Sequence, residues 1–351
     1  MHACASTCER RRMNTSCPSG RATSRPWRTL CTVFAACCLL LSSAHAAGPD
    51  NVRPIRLATY LWPGSFWIDV AWQKGWFDAA GLTVERVSAR HKYFAALDSL
   101  ASGQLDAVGF SQFDLVRYVA AGHDLVGIAA LDYSAGAEGL VAKAGIRQLS
   151  DLKGKRIALQ RGTYMEYILS IAAERNGLNL NDVILVDCPQ DKVLETFVAG
   201  RVDAMMVWEP YVTHGVAAGG VLLFSTADFP GMTYTVLALR REFIRARPDD
   251  VTALLGVWHR AEEFVRDNPD ETCVIVARLF DEPLANVHNL MNRVRVLDLA
   301  DNQRAFSYAA GFESLHGSWR RMNDFMLDRG LSTRSVPSAD HLNSRFIGLL
   351  E

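Results

Sequence analysis

Cysteine is scarce where it could staple a fold. Six of the eight cysteines (Cys4, Cys8, Cys17, Cys31, Cys37 and Cys38) fall near the start, leaving Cys188 and Cys273. Two cysteines 85 residues apart are a weak disulfide framework, and one bridge or two buried thiols fit the spacing equally. Long apolar runs are missing too. Leu30–Leu41 has twelve residues, short of the ~20 that span a bilayer. No basic stripe is present, which argues against a nucleic-acid partner. Catalytic signatures are also lacking: no H-E-x-x-H, no G-x-S-x-G elbow, no P-loop and no dinucleotide fingerprint after a strand. His91, His123, His214, His259, His288, His316 and His341 are scattered singly, so neither a metal site nor a cofactor is expected.

What is present begins with an export signal. Arg21, Arg25 and Arg28 precede the apolar run, and Ala44-His45-Ala46 then offers small residues at both positions a signal peptidase inspects. The expectation is a signal peptide over residues 1–46, with translation starting at Met1 or Met13, and an exported product. That segment takes six arginines and one glutamate with it. The remaining 305 residues then hold 31 basic and 37 acidic side chains, a net charge of −6. A chain of that length favours two lobes over a single core.

Strand and helix patterns alternate, which predicts an α/β protein. "IRLATY", "LTVERV", "DAVGF" and "DLVGIAAL" have the form of strands, separated by amphipathic stretches closed at Gly75 and Gly103. The grammar returns in "KRIALQ", "DVILVD", "DAMMVW" and "VLLFS". "LDSLASGQLDAVGF" (Leu97–Phe110) matches "LETFVAGRVDAMMV" (Leu194–Val207) without a gap, aligning Gly103 with Gly200 and Asp106 with Asp203. Two lobes of one design follow. After the strand "TYTVLALR" nearly everything beyond Glu242 has helical character. The tail must therefore complete the first lobe. Lobe 1 is expected over 47–140 and 235–351, and lobe 2 over 141–234. The chain would cross near Gly139–Ala144 and return near Gly231–Ala238, making a two-crossover hinge.

Ligands in open α/β sheets sit beyond the carboxyl ends of strands. That rule selects Tyr60, Trp62 and Pro63 after the first strand, then Phe110, Ser111 and Gln112, then Asp132 and Tyr133. In the second half it selects Gly162, Thr163 and Tyr164, with Trp208 and Glu209 after a later strand. "TYME" (Thr163–Glu166) is a capping box and "SQFD" (Ser111–Asp114) a looser one, so both halves would aim helix N–H donors at one cleft. Four of the eight tryptophans crowd into residues 62–76. Ile68, Trp72 and Trp76 share a helical face, which puts Trp72 and Trp76 in the core. Trp62, in a loop beside Pro-Gly, is assigned to ligand contact. Trp67 fits either role. Glu209 either complements a helix dipole or receives a cationic or hydrogen-bond-donating part of a solute.

Several segments together resemble the periplasmic solute-binding proteins of ABC importers in the nitrate/sulfonate/taurine group, which shares its domain with thiamine-pyrimidine synthases. They are "YLWPGSFWIDVAWQKGWFDAAGLTVE", "LASGQLDAVGFSQ", "DYSAGAEGLVAK", "LSDLKGKRIALQRGTYMEYIL", "FVAGRVDAMMVWEPY" and "GMTYTVLALRREF". The resemblance implies a type II periplasmic binding protein fold with a ligand cleft between the lobes. It implies a monomer that binds a small solute and partners an inner-membrane permease and ATPase. Family ligand contacts would fall on Tyr60–Ser65, Phe110–Gln112, Gly162–Tyr164 and Trp208–Tyr211. Aromatic residues with Asp132 and Glu209 suit a flat or partly cationic heteroaromatic of pyrimidine type; Arg161 and the helix starts suit a sulfonate-like anion. An enzyme of the pyrimidine-synthase type is the alternative, although that family's cysteine-rich motif is missing. A periplasmic ligand sensor is another.

Overall fold

The computed structural model describes residues 53–90 and 92–350. The expected signal peptide and His91 lie outside them. The chain builds β1 (Ile55–Thr59), β2 (Val84–Ser88), β3 (Ala107–Ser111) and β4 (Leu125–Ser134) before changing sheets. It then lays down β5 (Glu138–Ala142), β6 (Arg156–Leu159), β7 (Ile184–Asp187), β8 (Ala204–Trp208) and β9 (Val221–Ser225). It returns as β10 (Tyr234–Arg240) and adds a short β11 (Val294–Val296). The first sheet has the order β11-β4-β10-β3-β1-β2 and the second β7-β6-β8-β5-β9.

These orders express one plan. From β2 inward the first sheet runs β2, β1, β3, β10, β4; from β7 inward the second runs β7, β6, β8, β5, β9. In both, the first three strands are parallel and the fourth is antiparallel to its two neighbours. The strands that carry the chain between sheets, β5 and β10, therefore occupy equivalent places. The Asp106/Asp203 match has a matching geometry. Each aspartate N–H donates to the carbonyl of an arginine, Arg56 or Arg156, at 2.9 and 2.8 Å. Each carboxylate accepts that arginine's N–H at 2.9 Å. Gly103 and Gly200 end the preceding helices at φ +82° and +74°, where a Cβ would be strained.

Three features depart from the sequence reading. β5 was not expected: "EGLVA" is fully buried, so it lacks the alternation that marks a half-exposed strand. The chain consequently changes sheets between Ser134 and Glu138, before the expected Gly139–Ala144. β11 interrupts the helical tail and pairs with β4, being too short to announce itself by periodicity. Trp72 is 47% exposed, whereas Trp67 is buried against Phe77. The helix Phe66–Gln73 is buried all round for its first six residues and emerges only in its last turn. Spacing along such a helix does not mark an inner face. Trp76 is partly buried, edge-on to Phe264.

The helical tail clads the first sheet. Pro248 and Pro269 open the helices Pro248–Asp267 and Pro269–Phe280, where the missing N–H costs nothing. The first of these buries Val251, Leu254, Leu255, Trp258, Ala261 and Val265 at helical spacing and packs on Phe66–Gln73. Each large apolar side chain so buried contributes about 1.5–3 kcal/mol. Cys188 and Cys273 are free and buried.

Candidate functional site

The carboxyl ends of β1, β3, β6 and β8, with the starts of β5 and β10, open onto one cavity of about 650 Å³. Both sheets line it. Tyr60, Trp62, Tyr93 and Ser111 come from the first, and Gln160, Tyr164, Gln190 and Trp208 from the second.

The loop after β1 is tied down before it meets the cavity. Ser65 Oγ donates to the carbonyl of Tyr60 at 2.6 Å and lies 2.9 Å from that of Trp62. Trp62 Nε1 donates to Asp132 Oδ2 at 3.0 Å, and Thr235 Oγ1 donates to Asp132 Oδ1 at 2.9 Å. Asp132 is thus a bracket behind the Trp62 wall. Gly64 makes the bracket possible: a Cβ there would lie 1.8 Å from Asp132 Oδ2. Gly64→Ala is expected to cost about 1–3 kcal/mol by overpacking and to shift tryptophan emission as the indole loses its acceptor. Urea melts followed by fluorescence test this, and an unchanged midpoint would refute it.

An aromatic cluster joins the two sides. Tyr164 and Trp208 stack at 5.7 Å and 5°. Tyr93 reaches across with its ring 6.5 Å from each, and 5.5 Å edge-on from Tyr60. The Tyr93 hydroxyl accepts from Ser111 N at 3.0 Å and donates to Asp114 at 2.9 Å. Burial pushes the phenols of Tyr60, Tyr93 and Tyr164 well above their ordinary range, so all three remain protonated donors. Burial likewise raises Glu138, on the cavity wall, and Asp132 behind it to about 7. Glu209 lies against the cavity but is engaged: Arg293 Nε sits 3.0 Å from it, and Thr213 donates through its hydroxyl and backbone.

Of the thirteen residues expected at the site, Tyr60, Trp62, Ser111, Tyr164, Trp208 and Glu209 line the cavity. The other seven stand off it. Phe110 precedes Ser111 in β3 and by strand alternation points into the core. Gln112 is buried and donates to the Leu315 carbonyl at 2.6 Å. β4 runs ten residues, which makes Asp132 and Tyr133 strand residues rather than loop residues; Tyr133 faces a second, shallower pocket. Pro63 is buried in the loop's helical turn. Thr163 caps the following helix, accepting from Met165 N at 3.3 Å, while Glu166 takes the N–H of Gly162 at 2.9 Å instead of that of Thr163. The capping box is therefore spent on its own loop, as is Ser111, bonded to Asp114.

The sequence reading missed Tyr93, Glu138, Gln190 and Thr233. Two of them had a signal. The rule that selected the loops after β1 and β6 applies equally to those after β2 and β7, which lead into the helices that Tyr93 and Gln190 begin. Extending the gapless match backward aligns these two with each other, and one residue past its end it aligns Ser111 with Trp208.

A model of the family described as NMT1/THI5 like matches residues 62–272. A provisionally named binding protein of Brucella abortus is 28% identical over 247 residues, covering 68% of this chain and 75% of its own. A provisionally named aliphatic sulfonates-binding protein of Bacillus subtilis is 26% identical over 240 residues, 65% of this chain and 71% of its own. Among solved structures, the periplasmic aliphatic sulphonate binding protein SsuA of Escherichia coli superposes with a TM-score of 0.69 at 17% identity, covering 82% of this chain and 91% of that one. The same fold occurs in the desulfurization enzyme DSZB, with a TM-score of 0.63 at 16% identity over 85% of this chain and 99% of that one.

Proposed function

Because this chain belongs to the NMT1/THI5-like family, we propose that it is the solute-binding subunit of an ABC-type importer. It captures a small organic solute, a sulfonate-like anion or a heteroaromatic, in the cavity between its two sheets. Exported to the periplasm as a monomer, it would hand that solute to a membrane permease driven by an ATPase. One observation carries the reading: a single aromatic cluster is contributed by both sheets, Tyr60 and Tyr93 from one and Tyr164 and Trp208 from the other. A solute held there touches both halves at once, so binding and closure are coupled. The relatives named for sulfonate binding support the role without fixing the cargo.

The test is a thermal-shift panel of sulfonates, taurine, nitrate, pyrimidines and flavins. A ligand at 100 times its Kd should add about 2.7 kcal/mol. Trp208→Ala removes one wall and is expected to raise the Kd of any hit at least about tenfold, equivalent to ~1.4 kcal/mol. Full affinity in that variant would end the assignment of this cavity. Product formation from a hit would favour an enzyme on the same scaffold.

A further inference from the structure

Polar atoms in the cleft divide into those already partnered and those left open. Ser111, Tyr93, Trp62 and Glu209 are all bonded within the protein. By contrast, both amide atoms of the Gln190 side chain and the hydroxyl of Thr233 are buried with no partner, although the two residues are only 5% and 6% exposed. An unsatisfied buried amide is costly to leave unpaired, so such groups mark places where another molecule supplies the bonds.

Glu138 lies in the same cavity, 2% exposed. Its carboxylate accepts from the hydroxyls of Ser134 and of Thr226, the latter at 3.1 Å, and among the described residues no arginine, lysine or histidine pairs with it. Register adds a second constraint. Glu138 stands directly opposite Trp208 in the antiparallel pairing of β5 with β8, which places carboxylate and indole side by side on one face. A buried carboxylate lacking a counter-ion next to an indole presents a cation with charge from one side and a π-face from the other. The mouth is different in kind. Arg90 there is held by Glu282 at 2.8 Å, and exposed Lys92 is accompanied by exposed Asp191. Positive and negative groups balance at the rim, while the interior holds an unmatched acid.

Taking the cleft as the solute site, we infer that the solute presents a flat cationic nitrogen group, of amidinium or protonated-heterocycle type, to Glu138 and Trp208. Gln190 and Thr233 read the polar atoms next to it. A sulfonate in the same place would bring an anion against a buried carboxylate, and its charge would have to reach the balanced mouth.

Three probes of matched shape test this on the whole protein at pH 8: benzamidine, benzamide and benzenesulfonate, followed by calorimetry. Benzamidine is expected to bind at least tenfold tighter than benzamide, with benzenesulfonate failing to compete. Glu138→Gln should bring benzamidine down to the level of benzamide. The wild-type ranking needs no variant, so a poorly folding Glu138→Gln does not blunt the test. Benzamidine binding no tighter than benzamide, or an unchanged preference in Glu138→Gln, overturns the inference. Tight benzenesulfonate binding that Trp208→Ala abolishes would overturn the ligand class and leave the cleft as the solute site. Binding untouched by Trp208→Ala would overturn both.

Discussion

Asp106→Ala should destabilise the protein by about 3–5 kcal/mol, the usual result of removing one member of a buried ion cluster. Asp106 is fully buried and receives three guanidinium groups, from Arg53 at 2.7 Å, Arg56 at 3.0 Å and Arg240 at 2.9 Å. Burial alone would raise its carboxyl, but hydrogen bonds from these arginines outweigh that and hold it well below the usual carboxylate range. Arg53 grips it through two bonds but is half exposed, so solvent screens it; Arg240 is the most buried of the three and would be left with the largest desolvation cost. Asp203 is the internal control. It keeps the same backbone bond to Arg156, but its ion partner is Lys143 at 3.8 Å and its side chain is 31% exposed. Asp203→Ala should cost only about 1 kcal/mol. Urea denaturation at pH 7 measures both, and equal losses would show that the clamp contributes nothing beyond the shared turn.

The second large effect is a fall in stability from about pH 4 to pH 7. Burial raises Asp132 from 3.8 and Glu138 from 4.5 to about 7 each. The folded state therefore binds protons that the unfolded chain has already released. Their stabilising contribution is complete below about pH 4 and is lost as pH climbs through 7. The gap corresponds to an upper limit on the order of 3–4 kcal/mol for each group. The two are not additive, because either charge disfavours the other. Asp69, raised to about 6, and Glu262, raised to about 8, act in the same direction. Asp106 acts oppositely, losing its contribution only as pH drops below its unfolded value of 3.8. Melting temperature should peak on the acid side of neutrality, and an Asp132→Asn/Glu138→Gln double variant should flatten the decline. A wild-type slope that survives in the double variant would refute the assignment.

The α/β class and the duplicated plan were legible because the helix-to-strand junctions carry local chemistry: a glycine cap, an aspartate that clasps an arginine of the neighbouring strand in the sheet, then a buried strand. The cleft was half legible. Residues at strand ends, such as Trp62 and Trp208, follow from topology alone. Glu138 was hidden because it begins a strand whose apolar run shows no alternation, and only its pairing with Trp208 places it in the cleft. Asp132 was selected for the right neighbourhood and the wrong role: it holds the Trp62 indole from behind. Thr163 and Ser111 carry helix-start motifs in plain view. Sequence cannot say whether such donors are free, and here their own loops consume them.

The exchange of β5 and β10 has a consequence for how the chain assembles. Every strand of the second sheet comes from the unbroken stretch 138–225, whereas the first sheet lacks its central member until residues 234–240 arrive. A polypeptide emerging from its N-terminus thus carries β1 to β4 as an unfinished surface while the later-made half becomes complete. The half synthesised first is the one that must wait, its apolar strands β3 and β4 unjoined until β10 is made.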